Sequence, residues 1–265
     1  MTVLAGVYSR SAKTRLTPDL SPAILQAIGQ HEGNHVEKWS NARYFIARLD
    51  IGAYEVAATA QSDGALTAIV GDPVLSQNSS RQFANRGLDA QHIHRQLLQD
   101  DFGTLRNANG TFAGVHVSEH RDELCLFTDR VGVRQLFVAE AGELIFFASR
   151  LETLRDLECI PKQLDVRSLI EESTLHFSMD RRTPFKGVSL LQAGEFLRIR
   201  DHSVEPQYYW SWKSVEPVDV PLDTQLAELH ARFSAAIRMR MTDDRQYSFL
   251  SGGMDSRCIV GGLVQ

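Results

Sequence analysis

The stretch Tyr247-Ser248-Phe249-Leu250-Ser251-Gly252-Gly253-Met254-Asp255-Ser256 decides how this chain reads. An apolar run opens into a hydroxyl-rich Gly-Gly turn, and Arg257-Cys258-Ile259-Val260-Gly261-Gly262-Leu263-Val264 follows as the first turns of a helix. A strand, a glycine loop and a helix start make an anion cradle, because free backbone N–H groups and the helix dipole both point at the loop. Gly252 and Gly253 let backbone N–H groups approach a phosphate, and Ser251 and Ser256 offer hydroxyls on either side. Asp255 cannot meet an anion itself, so its carboxylate is read as holding Mg²⁺ that bridges the phosphates. No Gly-Lys-Ser/Thr follows, which excludes the Walker pattern. The plainer alternative is a strand-to-helix turn with Asp255 or Ser256 as its N-cap.

Upstream of the loop, Leu222, Leu226, Leu229, Phe233, Ile237 and Met241 recur every three or four residues, with Glu228, Arg232, Arg238 and Arg240 on other faces. A helix is therefore expected over 222–241, interrupted by Asp243-Asp244. Helix, strand, glycine loop and helix form the start of an α/β domain. The first 155 residues or so read differently. Strands are expected at 3–7, 44–49, 54–60 and 66–70, then at 111–117, 124–128, 136–139 and 144–148. Helices are expected at 23–30, with Pro22 in the first turn, and at 89–101. The expected architecture is two sheets packed face to face with helices outside. Between the two parts, 159–221 reads as a linker with a short helix at 166–175 and a hairpin within 185–199. Its cluster Tyr208-Tyr209-Trp210-Ser211-Trp212 is expected to pack the linker onto a neighbour, since no basic groove accompanies it for base stacking.

Composition bounds the function classes. The chain has 265 residues, 43% hydrophobic and 23% charged, enough for two domains with ordinary cores. A net charge of −5 argues against nucleic-acid binding as the main task. Cys125, Cys159 and Cys258 are too widely spaced for a metal motif or a disulfide framework, which points to a reducing cytoplasm. The apolar N-terminus lacks a basic lead-in, and no apolar run is long enough to cross a bilayer, so a soluble chain without a membrane partner is expected. His92 and His94 point apart on a helix, which disfavours a metal site. Asp63, Asp72 and Asp89 read as turn or cap residues, Cys258 as a small buried residue, and Asp129-Arg130 as a buried pair fixing a turn.

Several segments share a resemblance. Phe249-Leu250-Ser251-Gly252-Gly253-Met254-Asp255-Ser256 resembles the SGGxDS pyrophosphate loop of the N-type ATP pyrophosphatases, in particular the asparagine synthetases. Asn109-Gly110-Thr111-Phe112-Ala113 resembles that family's Asn-Gly-x-Phe-Ala entry, and Asp129-Arg130-Val131-Gly132-Val133-Arg134-Gln135-Leu136-Phe137 its Asp-Arg-x-Gly segment. Phe147-Ala148-Ser149-Arg150-Leu151-Glu152 and Thr183-Pro184-Phe185-Lys186-Gly187-Val188 are similar to two further segments in the same order. The resemblance implies an α+β, four-layer αββα, Ntn-hydrolase-like domain of class II glutamine amidotransferase type over 1–158. A linker at 159–221 and the truncated start of an α/β adenine-nucleotide hydrolase-like domain at 222–265 would follow. It further implies ATP and Mg²⁺ as cofactors: Ser251, Gly252, Gly253 and Ser256 would cradle the pyrophosphate, Asp255 would bind Mg²⁺, and Phe249 and Leu250 would sit beside the adenine.

The departures carry information too. In the glutamine-hydrolysing family a cysteine follows the initiator methionine, and here Thr2 stands in that place. No Arg-Gly-Pro-Asp lies near 41–60, and no Asn-Gly-Glu near Gly71-Asp72-Pro73. Loss of nucleophile and substrate clamp together implies a structural amidotransferase domain, as in the β-lactam synthetases and lasso-peptide cyclases, where the substrate's own amine attacks. The expected activity is ATP-dependent amide formation between a small-molecule or peptide carboxylate and an amine. The expected assembly is a homo-oligomer or a second chain completing the synthetase part, if the natural chain does not itself run on past Gln265. The alternatives are a non-catalytic scaffold and a glutamine-hydrolysing enzyme using Thr2 as nucleophile.

Overall fold

The computed structural model describes residues 2–29, 35–52, 56–75, 85–201, 203–241 and 247–264. Among the expected features, Gln30, Tyr54 and Asp243-Asp244 lie outside these residues. Two antiparallel six-stranded sheets form the body. The first comprises β1 (Val3–Ser9), β2 (His35–Ser40), β3 (Tyr44–Asp50), β8 (Phe137–Ala141), β9 (Leu144–Ala148) and β10 (Val188–Leu190), in the order β10-β8-β9-β1-β3-β2. The second comprises β4 (Thr59–Ser62), β5 (Ala65–Asp72), β6 (Thr111–Ser118), β7 (Glu123–Thr128), β11 (Glu195–Arg200) and β12 (Ser203–Tyr208), in the order β12-β11-β7-β6-β5-β4.

The alternation of strand side chains sorts the core into three layers. Leu4, Tyr8 and Ile46 from the first sheet meet Leu66, Val115 and Leu126 from the second, and this is the seam between the sheets. Val3, Ala5 and Val7 face the opposite way, under α1 (Leu20–Ala27) and α4 (Leu151–Arg155). Ile69, Phe112 and Phe127 lie beneath α2 (Arg86–Leu98) and α3 (Gly103–Asn107). Helix, sheet, sheet, helix is the four-layer αββα arrangement. α1 begins at Leu20 rather than residue 23, and α2 starts three residues before Asp89 because Asn85 caps it, accepting from Leu88 N.

The stretch expected as a linker is built into both sheets. β10 pairs with β8 in one sheet and β11 with β7 in the other, so 185–199 is not a hairpin. The reason is edge protection: β8 and β7 each have an edge that a further strand must cover. α5 (Val166–Leu175) with its flanks and the residues after β12, with a 3-10 turn at Trp212–Ser214, stand outside the sheets here. Tyr209 of the aromatic cluster is buried and its hydroxyl donates to Thr128 O, whereas Tyr208 and Trp212 remain exposed.

The C-terminal part consists of α6 (Leu222–Arg238) and α7 (Met254–Val264). They touch where Gly262 lies against Ile237; a Cβ at Gly262 would come within 2.3 Å of Ile237 Cδ1. The expected strand at 247–250 does not form. Its peptide groups have no sheet partner among the described residues, and Phe249 is 99% exposed. Cys258, expected to be buried, is exposed on α7, because α6 covers only the side of α7 that carries Gly262.

Candidate functional site

Two regions hold the residues picked out by sequence, and they differ in how far their polar groups are already satisfied. At the loop, Ser256 turns its hydroxyl back: Oγ accepts from Ser251 N at 3.0 Å and lies 2.9 Å from Ser251 Oγ. Ser251 Oγ in turn accepts from Gly253 N at 3.2 Å. These bonds hold the turn into α7, whose first residues are Met254 and Asp255. No atom lies within 4 Å of where a Cβ on Gly252 would be, so the glycine opens space above the backbone. Both glycines keep φ outside the left-handed region, so steric room and not turn geometry is what they provide. Asp255 is exposed and has no hydrogen bond or ion pair among the described residues. Phe249 and Leu250 precede it, both exposed.

An open loop on a helix N-terminus fits a polyphosphate, and a lone exposed carboxylate fits Mg²⁺. That ion commonly takes one or two carboxylates and completes its shell with phosphate oxygens and water. Among the described residues no three His, Cys, Asp or Glu side chains gather into a preformed metal cage.

Thr2 lies at the other end of the molecule's chemistry, 7% exposed at the head of β1. β1 is held on both sides: Leu4 N donates to Ser149 Oγ at 3.0 Å, and Val3 is paired with Leu49. Next along that register, Thr2 Oγ1 donates to Asp50 Oδ1 at 3.5 Å. Beside this pair is a fully buried arginine. Arg48 donates through Nε to Glu37 Oε2 at 2.6 Å, its Nη2 lies 3.2 Å from Asp50 Oδ2, and Nη1 reaches Ile69 O at 3.3 Å. This cluster was invisible in sequence, because Glu37 and Arg48 meet only once β2 and β3 are paired. On α2, Asp89 accepts from Leu75 N at 3.1 Å, tying that helix to the exit of β5. Asp72 is half-buried at the end of β5; burial raises its carboxyl above the usual range, and a hydrogen bond from the Val74 backbone two residues on opposes that rise. Asp63 does sit in a turn, with φ of 50°.

The family-like segments form a structural knot of their own. Asp129 is fully buried and does not pair with Arg130. Its two oxygens accept from Val131 N, Val133 N, Arg134 N and Phe112 N, at 3.0 to 3.2 Å. Four backbone donors satisfy the carboxylate better than one guanidinium at this turn, and Arg130 instead donates to Asn109 Oδ1 at 2.8 Å. Asn109 and Gly110 clasp β5, through Asn109 N to Val74 O and Gly110 N to Pro73 O. An open cavity of about 900 Å³ lies between α4 and the segment after α5, floored by Phe137, Leu151 and Leu190. On its wall, the hydrogen bond from Arg182 holds the Glu171 carboxyl down at about 2.

Comparison with known proteins bears on these two regions. Residues 89–210 match the glutamine amidotransferase domain family, a span that runs through β10, β11 and β12. The chain is 24% identical to asparagine synthetase [glutamine-hydrolyzing] 3 of Bacillus subtilis, over 96% of this chain and 42% of that protein. The chain is thus similar to asparagine synthetases over most of its length and to glutamine amidotransferase domains over 89–210. A putative asparagine synthetase [glutamine-hydrolyzing] of Mycobacterium bovis is 27% identical over 61% of this chain and 26% of its own length. The chain thus spans less than half the length of the curated relatives it matches. A solved glutamine phosphoribosylpyrophosphate amidotransferase from B. subtilis superposes with a TM-score of 0.48 at 15% identity, covering 78% of this chain and 49% of that one. Among the described residues no helix is long and apolar enough to cross a membrane.

Proposed function

We propose that this chain is the amidotransferase-like part and the nucleotide-loop entrance of an ATP-dependent amide-forming enzyme. In the reaction a carboxylate is adenylated with release of pyrophosphate, and an amine then displaces AMP. The observation that supports this reading is the open turn at Ser251 to Ser256, with room above Gly252 and an uncommitted carboxylate at Asp255. Ser251 and Ser256 fix the turn, and the N–H groups of the turn and of the first residues of α7 would receive phosphate oxygens. Mg²⁺, when held by Asp255, would supply charge neutralisation for the leaving pyrophosphate.

The amidotransferase domain serves here as a frame without glutamine hydrolysis. An arginine that is to clamp a substrate carboxylate must have donors free for it. Arg48, the buried arginine beside Thr2, already faces Glu37, Asp50 and Ile69 O. A hydroxyl at Thr2 that donates to Asp50 has the geometry of a strand-end contact. The competing reading is glutamine hydrolysis by Thr2, for which the placement of Thr2 at the head of β1 speaks. Carboxylate-dependent ATP–pyrophosphate exchange and glutamate release from glutamine, both measured on the complete protein, separate the two. Exchange without glutamate release is expected; glutamate release abolished by Thr2→Ala would establish the competing reading.

A further inference from the structure

Between α2 and the sheet beneath it, four side chains make one unbroken hydrogen-bonded chain. Ser62 Oγ lies 2.9 Å from His94 Nε2, His94 Nδ1 lies 2.8 Å from Thr67 Oγ1, and the same hydroxyl lies 2.8 Å from His116 Nδ1. The chain starts on β4, crosses β5 and β6, and takes in the second half of α2. Thr67, His94 and His116 are buried, and Ser62 is exposed.

Two imidazoles share one hydroxyl proton. Thr67 Oγ1 holds one proton and two lone pairs, so with both rings neutral every donor in the chain has an acceptor, and a proton added to either ring leaves one buried donor without one. His116 Nε2 is buried with no hydrogen-bond partner. The cheaper arrangement leaves that nitrogen bare, with His116 donating to Thr67, Thr67 to His94, and His94 to Ser62; the reverse would bury an orphan N–H. In that arrangement a proton arriving at His94 Nδ1 meets the Thr67 hydroxyl proton head-on.

The surroundings give a second positive charge little compensation. Asp63, in the β4–β5 turn, is the acidic group facing His94. From β6 and the turn after it come His116 and Arg121, whose guanidinium donates to Leu98 O at 2.6 Å. The buried Glu123 of β7 is shared among Arg121, Arg198 and Arg200, and Asp100 is taken by Arg198. Arg106 on α3 is turned to Tyr209 O, and on α2 Arg95 turns to Gln91 O. Burial, first among the causes, lowers the affinity of both rings for a proton, with His116 brought to about 3.

We propose that Ser62, His94, Thr67 and His116 form an acid-sensitive latch that fastens the second half of α2 to its sheet and opens when an imidazole is protonated. The freed rings bind protons more tightly than the latched ones. The latch is therefore fully closed above pH 6.5 and weakens as pH falls from 6.5 towards 3. The first turn of the same helix carries Asp89 and its bond to Leu75, so α2 is fastened at both ends.

The test is amide hydrogen exchange across α2 at pH 7.5 and pH 5.5, corrected for the intrinsic exchange rate. At pH 5.5 each ring released to ordinary affinity favours opening by up to about tenfold. Protection of α2 amides is expected to fall by about that much while β1 and β9 amides hold theirs. A His94→Gln, His116→Gln double variant should keep α2 protection level between the two pH values. Should that variant not fold, histidine ring resonances of the unaltered chain decide, with both rings neutral at pH 5.5 wherever α2 stays protected. Unchanged α2 protection on acidification, a folded double variant with the original pH response, or a protonated ring under a protected α2 would each overturn the latch.

Discussion

The sandwich and the C-terminal helix pair treat their polar and apolar groups in opposite ways. Within the sandwich, Asp129 meets four backbone donors and Arg48 meets two carboxylates and a carbonyl. In the helix pair, Leu222, Leu226 and Leu229 are exposed along α6, and Asp255 stands free of any partner among the described residues. A carboxylate with every lone pair engaged is fixed and closed to chemistry; one without partners can take a ligand at little cost. Under the proposed function, the contrast suits the first region to framing and the second to holding a nucleotide.

Substitutions can break or sharpen that contrast. The largest effect is expected from Gly110→Ala, because a Cβ there would come 1.7 Å from the Asp72 carbonyl oxygen, a backbone atom with no room to yield. Loss of the folded sandwich by circular dichroism is the expected outcome, and a folded protein of unchanged stability would refute the clasp. Asp129→Ala removes the common acceptor of four N–H groups and should cost about 3–5 kcal/mol in a denaturant titration. Arg48→Met leaves Glu37 and Asp50 facing each other without a cation and should cost about 3 kcal/mol. If that variant is as stable as the original, the cluster beside Thr2 is not the satisfied knot described above. Smallest of all, Leu226→Gln and Leu229→Gln on the exposed α6 stripe should move stability by no more than about 0.5 kcal/mol. A loss of several times that would show the stripe to be covered in solution.

Much of the sandwich was legible because its signals are local. β6 and β7 alternate cleanly, and all eight residues of β6 pair with β5. The family-like segments at Asn109-Gly110 and Asp129 were readable for a related reason: a tight clasp and a four-donor carboxylate allow few substitutes. β2 was missed because it is an edge strand whose side chains are mostly exposed or half-buried, leaving no buried face to imprint a pattern. The fate of 185–199 was misread because two apolar runs near each other suggest a hairpin, and only the free edges of β7 and β8 send them to different sheets. His94 was judged against its neighbour His92 on the helix, while its true partners come from β4, β5 and β6. At the loop, sequence supplied the residues but not the state of Tyr247 to Leu250, which pair with no strand among the described residues.

The measurement closest to the central claim is carboxylate-dependent ATP–pyrophosphate exchange on the complete protein, with Asp255→Ala and Ser251→Ala beside the unaltered sequence. Both residues are exposed, so Asp255→Ala should keep the original melting temperature, and Ser251→Ala should lose no more than its turn bonds contribute, about 1 kcal/mol. The account predicts that exchange falls to background in each while both variants stay folded. Undiminished exchange in either variant would contradict it.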